Sequence, residues 1–435
     1  MKVSLFQGIL FAIFGFAALV GLFVFSTHTS TTGGGASEVG LVTIWGTLSK
    51  QDIQNALTAI GQTDQSFKEV SYVQKDEATL ASDLASAIAT GDAPDLVLAS
   101  QENLQSLARL ITPIPTSTLS AASFTSAFIA EAQLLTTPDG SGYYGVPFLV
   151  DPLVLFSNRA LLASKGIAKP PATWEALTGL VSTVAELTPN RQITRGLIGL
   201  GTYDNVHNAR GILSSLFLQT GIPVSFYRNG VLAANLSSGT SGTSVPGQAV
   251  IGFYSQFADP SKLSYTWNAS LPDSQKAFLS GDLALYLGYV SEARFLRNAN
   301  PNLDFVVAPL PQPGTATLKS AYGILYSFMI PRGAKNPSGA YQAAALLTSS
   351  AEQAIAAQVT GLAPVSLTEL STAPADPVAS VAYAEALYAN GWLSPTPAST
   401  DQVFSSMITG VITGRFTPAT ALSSGENSLN LLLQK

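Results

Sequence analysis

The sequence predicts an α/β fold, on three observations. Short runs of β-branched and aromatic residues alternate with amphipathic stretches along most of the chain. The first of these runs follow a strand–helix–strand–helix–strand order, which calls for a parallel sheet with right-handed crossovers. The alternation then continues over about 390 residues, more than one hydrophobic core serves comfortably, so it should divide into two units.

The first run is LVTIW at 41–45, read as a strand, followed by a helical pattern over 51–60 and a second strand over 69–73. Residues 78–89 form an amphipathic helix with Leu80, Leu84, Ala87 and Ile88 on one face. Gly91-Asp92-Ala93-Pro94 stops it, and 95–98 is the third strand. The pattern resumes with a strand at 150–157, a helix at 160–165 and a rigid turn at Pro170-Pro171. Thr173 is placed to cap a helix over 174–186. A strand at 197–200 and a helix at 209–220 precede a Ser/Thr/Gly loop at 237–246. Helices at 248–257 and 274–280 and strands at 283–287 and 305–308 follow, and from 338 onward the chain is mostly helical and Ala-rich. No internal repeat is visible. Ligands of such sheets bind at the carboxyl ends of the strands.

Composition narrows the function classes. Only 11% of the 435 residues are charged, against a usual ~25%, and the net charge is -6. Clustered Lys and Arg are absent, which argues against a nucleic-acid partner. There is no cysteine, so disulfides, thiol nucleophiles, Cys-based zinc sites and a lipidated cysteine are all excluded.

The N-terminus carries a targeting signal. Lys2 precedes an uncharged run from Gly8 to Phe25. At 1.5 Å per residue that run reaches about 27 Å, close to the thickness of a hydrocarbon core. No small-x-small cleavage site adjoins it; the nearest is Gly34-Gly35-Ala36. Residues 1–25 are therefore expected to be an uncleaved single-pass transmembrane anchor, with Lys2 inside and the rest of the chain on the extracytoplasmic side of the cell membrane. Residues 26–38, STHTSTTGGGASE, read as a flexible linker.

Catalytic chemistry is scarce. His28 lies in the linker, so His207 is the one histidine available to a folded site. No G-x-S-x-G, G-x-x-x-x-G-K-[ST] or H-E-x-x-H motif occurs. The chain is expected not to be an enzyme and to need no cofactor or metal.

Four ordered segments and a C-terminal one carry a resemblance. The first is Gly91-Asp92-Ala93-Pro94-Asp95-Leu96-Val97. The second runs from Tyr144-Gly145-Val146-Pro147-Phe148 through Leu155-Phe156-Ser157-Asn158 to Pro170, Pro171, Thr173, Trp174 and Glu175. The third is Phe278-Leu279-Ser280-Gly281-Asp282-Leu283-Ala284. The fourth comprises Phe328-Met329-Ile330-Pro331, Asn336-Pro337 and Gly361-Leu362-Ala363-Pro364-Val365; Thr417-Pro418-Ala419-Thr420-Ala421-Leu422 lies near the end. In order and spacing they resemble the family-1 extracellular solute-binding proteins, the maltodextrin- and sugar-binding group of ABC importers. The departures are the missing lipid-bearing Cys and the sparse charged residues.

The resemblance implies a two-lobe periplasmic-binding-protein-like fold with a ligand cleft between the lobes. The first lobe would comprise 39–152 and 310–348, the second 153–309 and 349–435, with crossings near Pro152, Pro309 and Leu347. It also implies a monomeric receptor that captures a small solute, with a carbohydrate favoured, and delivers it to permease subunits. The alternatives are a peptide, polyamine or other solute on the same fold, or a surface protein without a transport role.

A sugar site needs flat aromatic faces and planar polar groups. Asp151 stands where the family places a cleft acid, and Tyr289 follows the 283–287 strand where an aromatic often stacks on ligand. Trp45 ends the first strand and Ser100 follows the third. Tyr203 and Asp204 end the 197–200 strand. Trp267, Tyr322 and Trp392 complete the candidates; each aromatic among them has core packing as its competing role. Trp174 opens a helix and is assigned to packing, and His207 to the start of the next helix.

Overall fold

A computed structural model describes residues 39–239 and 245–434. The expected anchor (1–25) and linker (26–38) lie outside the described residues. Among those described, no helix is long and apolar enough to cross a membrane.

Alternation of buried and half-buried residues in Val42–Gly46 makes it a strand with one face in the core. It pairs in parallel with Val70–Gln74 and with Leu96–Ser100. Helix Lys50–Thr63, capped by Ser49, joins the first pair, and helix Leu80–Thr90 joins the second. Gly91 ends the latter in the left-handed region (φ 78°), a conformation that costs glycine nothing.

The parallel expectation holds for these three strands but not for the whole sheet. The eleven-stranded sheet is mixed, because its central strand, Val146–Asn158, pairs antiparallel with its neighbours. This strand begins four residues before the expected 150–157 element, and all thirteen of its residues are buried. It runs through both halves of the molecule. Val146 to Pro152 pair with Ala321–Met329, and from Leu153 to Ser157 the partner is Leu283–Tyr289. Beyond it lies Ile193–Ile198, parallel to Leu283–Tyr289. The helix expected over 174–186 is capped by Thr173 but ends at Gly179; Val181–Val184 and the strand Glu186–Leu187 follow.

The lobe boundary expected at 349 is displaced. Helix Ser350–Thr360 packs on Lys50–Thr63 in the first lobe, and Ala363–Pro364 pairs with Val150 and Leu149. Only from helix Pro397–Ile412 does the chain rejoin helices Ala209–Leu218 and Pro246–Ser255 in the second lobe. The expected crossing near Leu347 therefore falls inside the first lobe, where Leu347 is fully buried. The actual passage lies near Ala389–Asn390, which pairs with Ala321 and Tyr322. Ala-rich helices carry little signal about which lobe buries them, since small side chains pack against either.

Candidate ligand cleft between the two lobes

The carboxyl ends of strands from both lobes face one another. Leu96–Ser100 opens into the turn Gln101–Asn103, while Ile193–Ile198 leads through Tyr203 and Asp204 to helix Ala209–Leu218. Leu283–Tyr289 ends on Tyr289.

A polar chain joins these ends. The Tyr203 hydroxyl donates to Asp401 Oδ1 at 2.5 Å, and Arg210 Nε lies 3.6 Å from the same oxygen. Arg210 Nη1 reaches Glu102 Oε1 at 3.0 Å, which also accepts from the Tyr322 hydroxyl at 2.5 Å. Gln101 Nε2 donates to Tyr322 Oη and to the Gly323 carbonyl, and Gln101 Oε1 accepts from Leu325 N–H at 2.7 Å. Glu102 belongs to the first lobe, and Arg210 and Asp401 to the second. Glu102 is 3% exposed, so its charge is tolerable only because it is paired. Burial works against the Arg210 charge, and the Glu102 carboxylate, together with Tyr322, Tyr289 and Asp401, outweighs it and holds the guanidinium cationic. Burial first, and Glu102 second, push the Tyr289 and Tyr322 hydroxyls up.

Tyr289 and Tyr322 thus meet at this chain, with Tyr203 at its far end. Tyr289 lies so close to Gly211 that a methyl group there would collide with its hydroxyl. Ser100, one residue before Gln101, is buried and donates to Asn103 Oδ1 at 3.0 Å. Asp151 sits at the crossing, accepting from Ser291 N–H at 3.1 Å and Ser291 Oγ at 2.6 Å. Burial pushes its carboxyl up to about 7 against the lowering effect of those bonds.

The other candidates take no part in this chain. Trp45 is half-buried, with the Lys75 ammonium 3.7 Å from its ring centroid. Asp204 is exposed and accepts from Ser405 Oγ. Trp267 is 1% exposed, packed against Gly196 and Gly199 inside the second lobe, with no partner for its Nε1 among the described residues. Trp392 is also buried; its Nε1 donates to Ser214 Oγ at 3.0 Å and its ring stacks near Phe404. Burial leaves these two indoles no face for a solute. Trp174 packs as expected and donates to Gln219 Oε1. His207 is exposed beside Asp273 Oδ2 at 3.3 Å.

Sequence reasoning missed Gln101, Glu102, Arg210 and Asp401. The available signal was an acid two residues past a strand end and an arginine opening an otherwise uncharged helix. Their pairing, 108 positions apart for Glu102 and Arg210, has no local signature.

Residues 59–386 match the profile of the bacterial extracellular solute-binding proteins. The chain belongs to that family. The fold of this solute-binding protein is similar to several solved structures. The cyclic alpha-maltosyl-1,6-maltose binding protein from Arthrobacter globiformis aligns with a TM-score of 0.73 at 16% identity, over 90% of this chain and 98% of that one. The sugar-binding protein MalE from Xanthomonas citri gives 0.71 at 17%, over 91% and 97%. A cyclo/maltodextrin-binding protein complexed with maltotetraose gives 0.70 at 17%, over 93% and 99%. Among curated proteins, none matches by sequence.

Proposed function

We propose that this solute-binding protein is the carbohydrate receptor of an ABC importer, closing its two lobes around a neutral sugar and presenting it to permease subunits. One observation carries the reading. The charged groups at the cleft are engaged with one another: Arg210 stands between Glu102 and Asp401, which also accept from the Tyr322 and Tyr203 hydroxyls, and tyrosines supply the remaining faces. A ligand entering such a site brings hydroxyls and C–H faces to tyrosine rings and to polar side chains already held in a network. The structural relatives' sugar ligands, among them maltotetraose, mannotriose and tagatose, point the same way.

The chain passes between the lobes along strand Val146–Asn158 and at two further places, so relative motion is the default, and a ligand touching both sides selects the closed state. Residues 8–25 would hold the receptor at the membrane, and an intact mass beginning near Ser37 would overturn that anchor. Titration calorimetry with maltotetraose, mannotriose and tagatose, against spermidine and a tripeptide, tests the ligand class. A neutral sugar is expected to bind and spermidine to give no heat; the reverse result removes the carbohydrate reading.

A further inference from the structure

Three carboxyls outside the polar chain from Tyr203 to Gln101 are buried, each beside a place where the backbone passes between lobes. Asp151 lies in the central strand at the first passage, one residue before the change of pairing partner at Pro152 and Leu153. Glu385, fully buried on helix Pro377–Ala386, lies against the Leu310 backbone in the second passage, just beyond strand Phe305–Ala308. Glu131 is 3% exposed and wedged between Gly323 and Gly391, where Ala321–Met329 meets the third passage. A Cβ at Gly323 would lie 2.9 Å from Glu131 Oε2, and one at Gly391 would overlap Oε1.

Among the described residues, none of the three faces a cation at ion-pair distance. Ser291 donates twice to Asp151, Glu292 opposes its ionisation, and the neutral Tyr289 and Tyr326 hydroxyls lie nearby. Glu131 faces Glu102, and neither of its oxygens has a hydrogen-bond partner among the described residues. Glu385 has the Leu310 backbone N–H, the Tyr388 hydroxyl and, farther off, Lys319 as polar neighbours that favour its charge less than burial opposes it, with no well-aligned hydrogen bond to either oxygen among the described residues. A buried carboxyl without a counter-charge is stable as the neutral acid and is driven toward water on ionising. Separating the lobes strains these passages first.

We propose that lobe opening is proton-linked: Asp151, Glu131 and Glu385 keep the passages closed while protonated and favour opening when they ionise. The proposal rests on the two-lobe hinge but not on the identity of the solute. The sign follows from linkage. Burial raises all three above their ordinary range, to about 7 for Asp151 and about 8 for Glu385. Opening lets them return toward the usual carboxylate range near pH 4. The closed state is therefore favoured at low pH and lost as pH rises from about 4 to about 8. Its ratio to the open state falls up to about tenfold per pH unit for each group that opening hydrates.

Small-angle scattering of the ligand-free full chain at about pH 5 and about pH 8, with thermal melts at both, tests this. The radius of gyration is expected to be larger at the higher pH for the wild type. It should be invariant in the variant combining Asp151→Asn, Glu131→Gln and Glu385→Gln. If that variant does not fold, Asp151→Asn and Glu385→Gln alone should each reduce the pH response. A wild-type radius that stays constant while the melting temperature moves would mean that the acids serve the core alone, and would overturn the proposal. So would an equal pH response in wild type and variants. Because no ligand enters the experiment, these outcomes do not depend on what the cleft binds.

Discussion

Glu102 and Glu131 are both 3% exposed, both belong to the first lobe and lie near enough to influence one another, yet the fold treats them oppositely. Glu102 receives a guanidinium from the second lobe and a tyrosine hydroxyl. Glu131 receives neither, and burial holds its carboxyl well above the usual range. Burial alone therefore does not say whether an acid carries charge; the partner does. The cleft wall keeps its charge by spanning two lobes. The passages between lobes keep theirs out of water by staying neutral.

Arg210→Ala should strike this contrast hardest. It strands the Glu102 carboxylate in a buried site, at a cost of about 3 kcal/mol in unfolding free energy. Urea denaturation measures it, and a loss under about 1 kcal/mol would place Glu102 and Glu131 in the same class. Glu131→Gln sharpens the comparison from the other side. Since the native acid is held neutral by burial, the wild type loses stability as pH rises and the amide does not. The variant should gain on the wild type by up to about 1.4 kcal/mol per pH unit, read from paired melts. A parallel pH profile would show Glu131 to be charged and partnered after all. The smallest effect concerns Tyr289. Tyr289→Ala should weaken sugar binding by about 0.5–1.5 kcal/mol beyond its lost contact area, with a lesser change in melting temperature. Unchanged affinity beside a lowered melting temperature would move Tyr289 from the cleft to the core.

Much of the fold was legible. Strand residues 42–46, 70–74 and 96–100 announced themselves by β-branched runs, and Gly91 marked a helix end. Thr173, Asp376, Thr396 and Thr417 each accept backbone N–H groups at a helix start, the last three followed by proline, a signal readable in one turn of chain. The candidate site was legible in part. Tyr289 was named because it ends a strand, where ligands of such sheets bind, Asp151 because it stands where the family places a cleft acid, and Tyr322 as one of several aromatic candidates. Trp267 and Trp392 misled, because a large flat ring is both a good sugar platform and a good core filler.

The sequence by itself determined where helices and strands begin, which faces are apolar, and the family's ordered motifs, since these depend on neighbours within a turn or two. It also carried the charge-free run at 8–25, a matter of composition. Only the tertiary structure decided that Glu102 meets Arg210, that Glu131 has no hydrogen-bond partner among the described residues, and that residues 350–360 return to the first lobe. Side-chain periodicity says that a residue faces inward. Which residue waits there is settled by how distant segments pack, and in a buried site that partner decides charge, affinity and motion together.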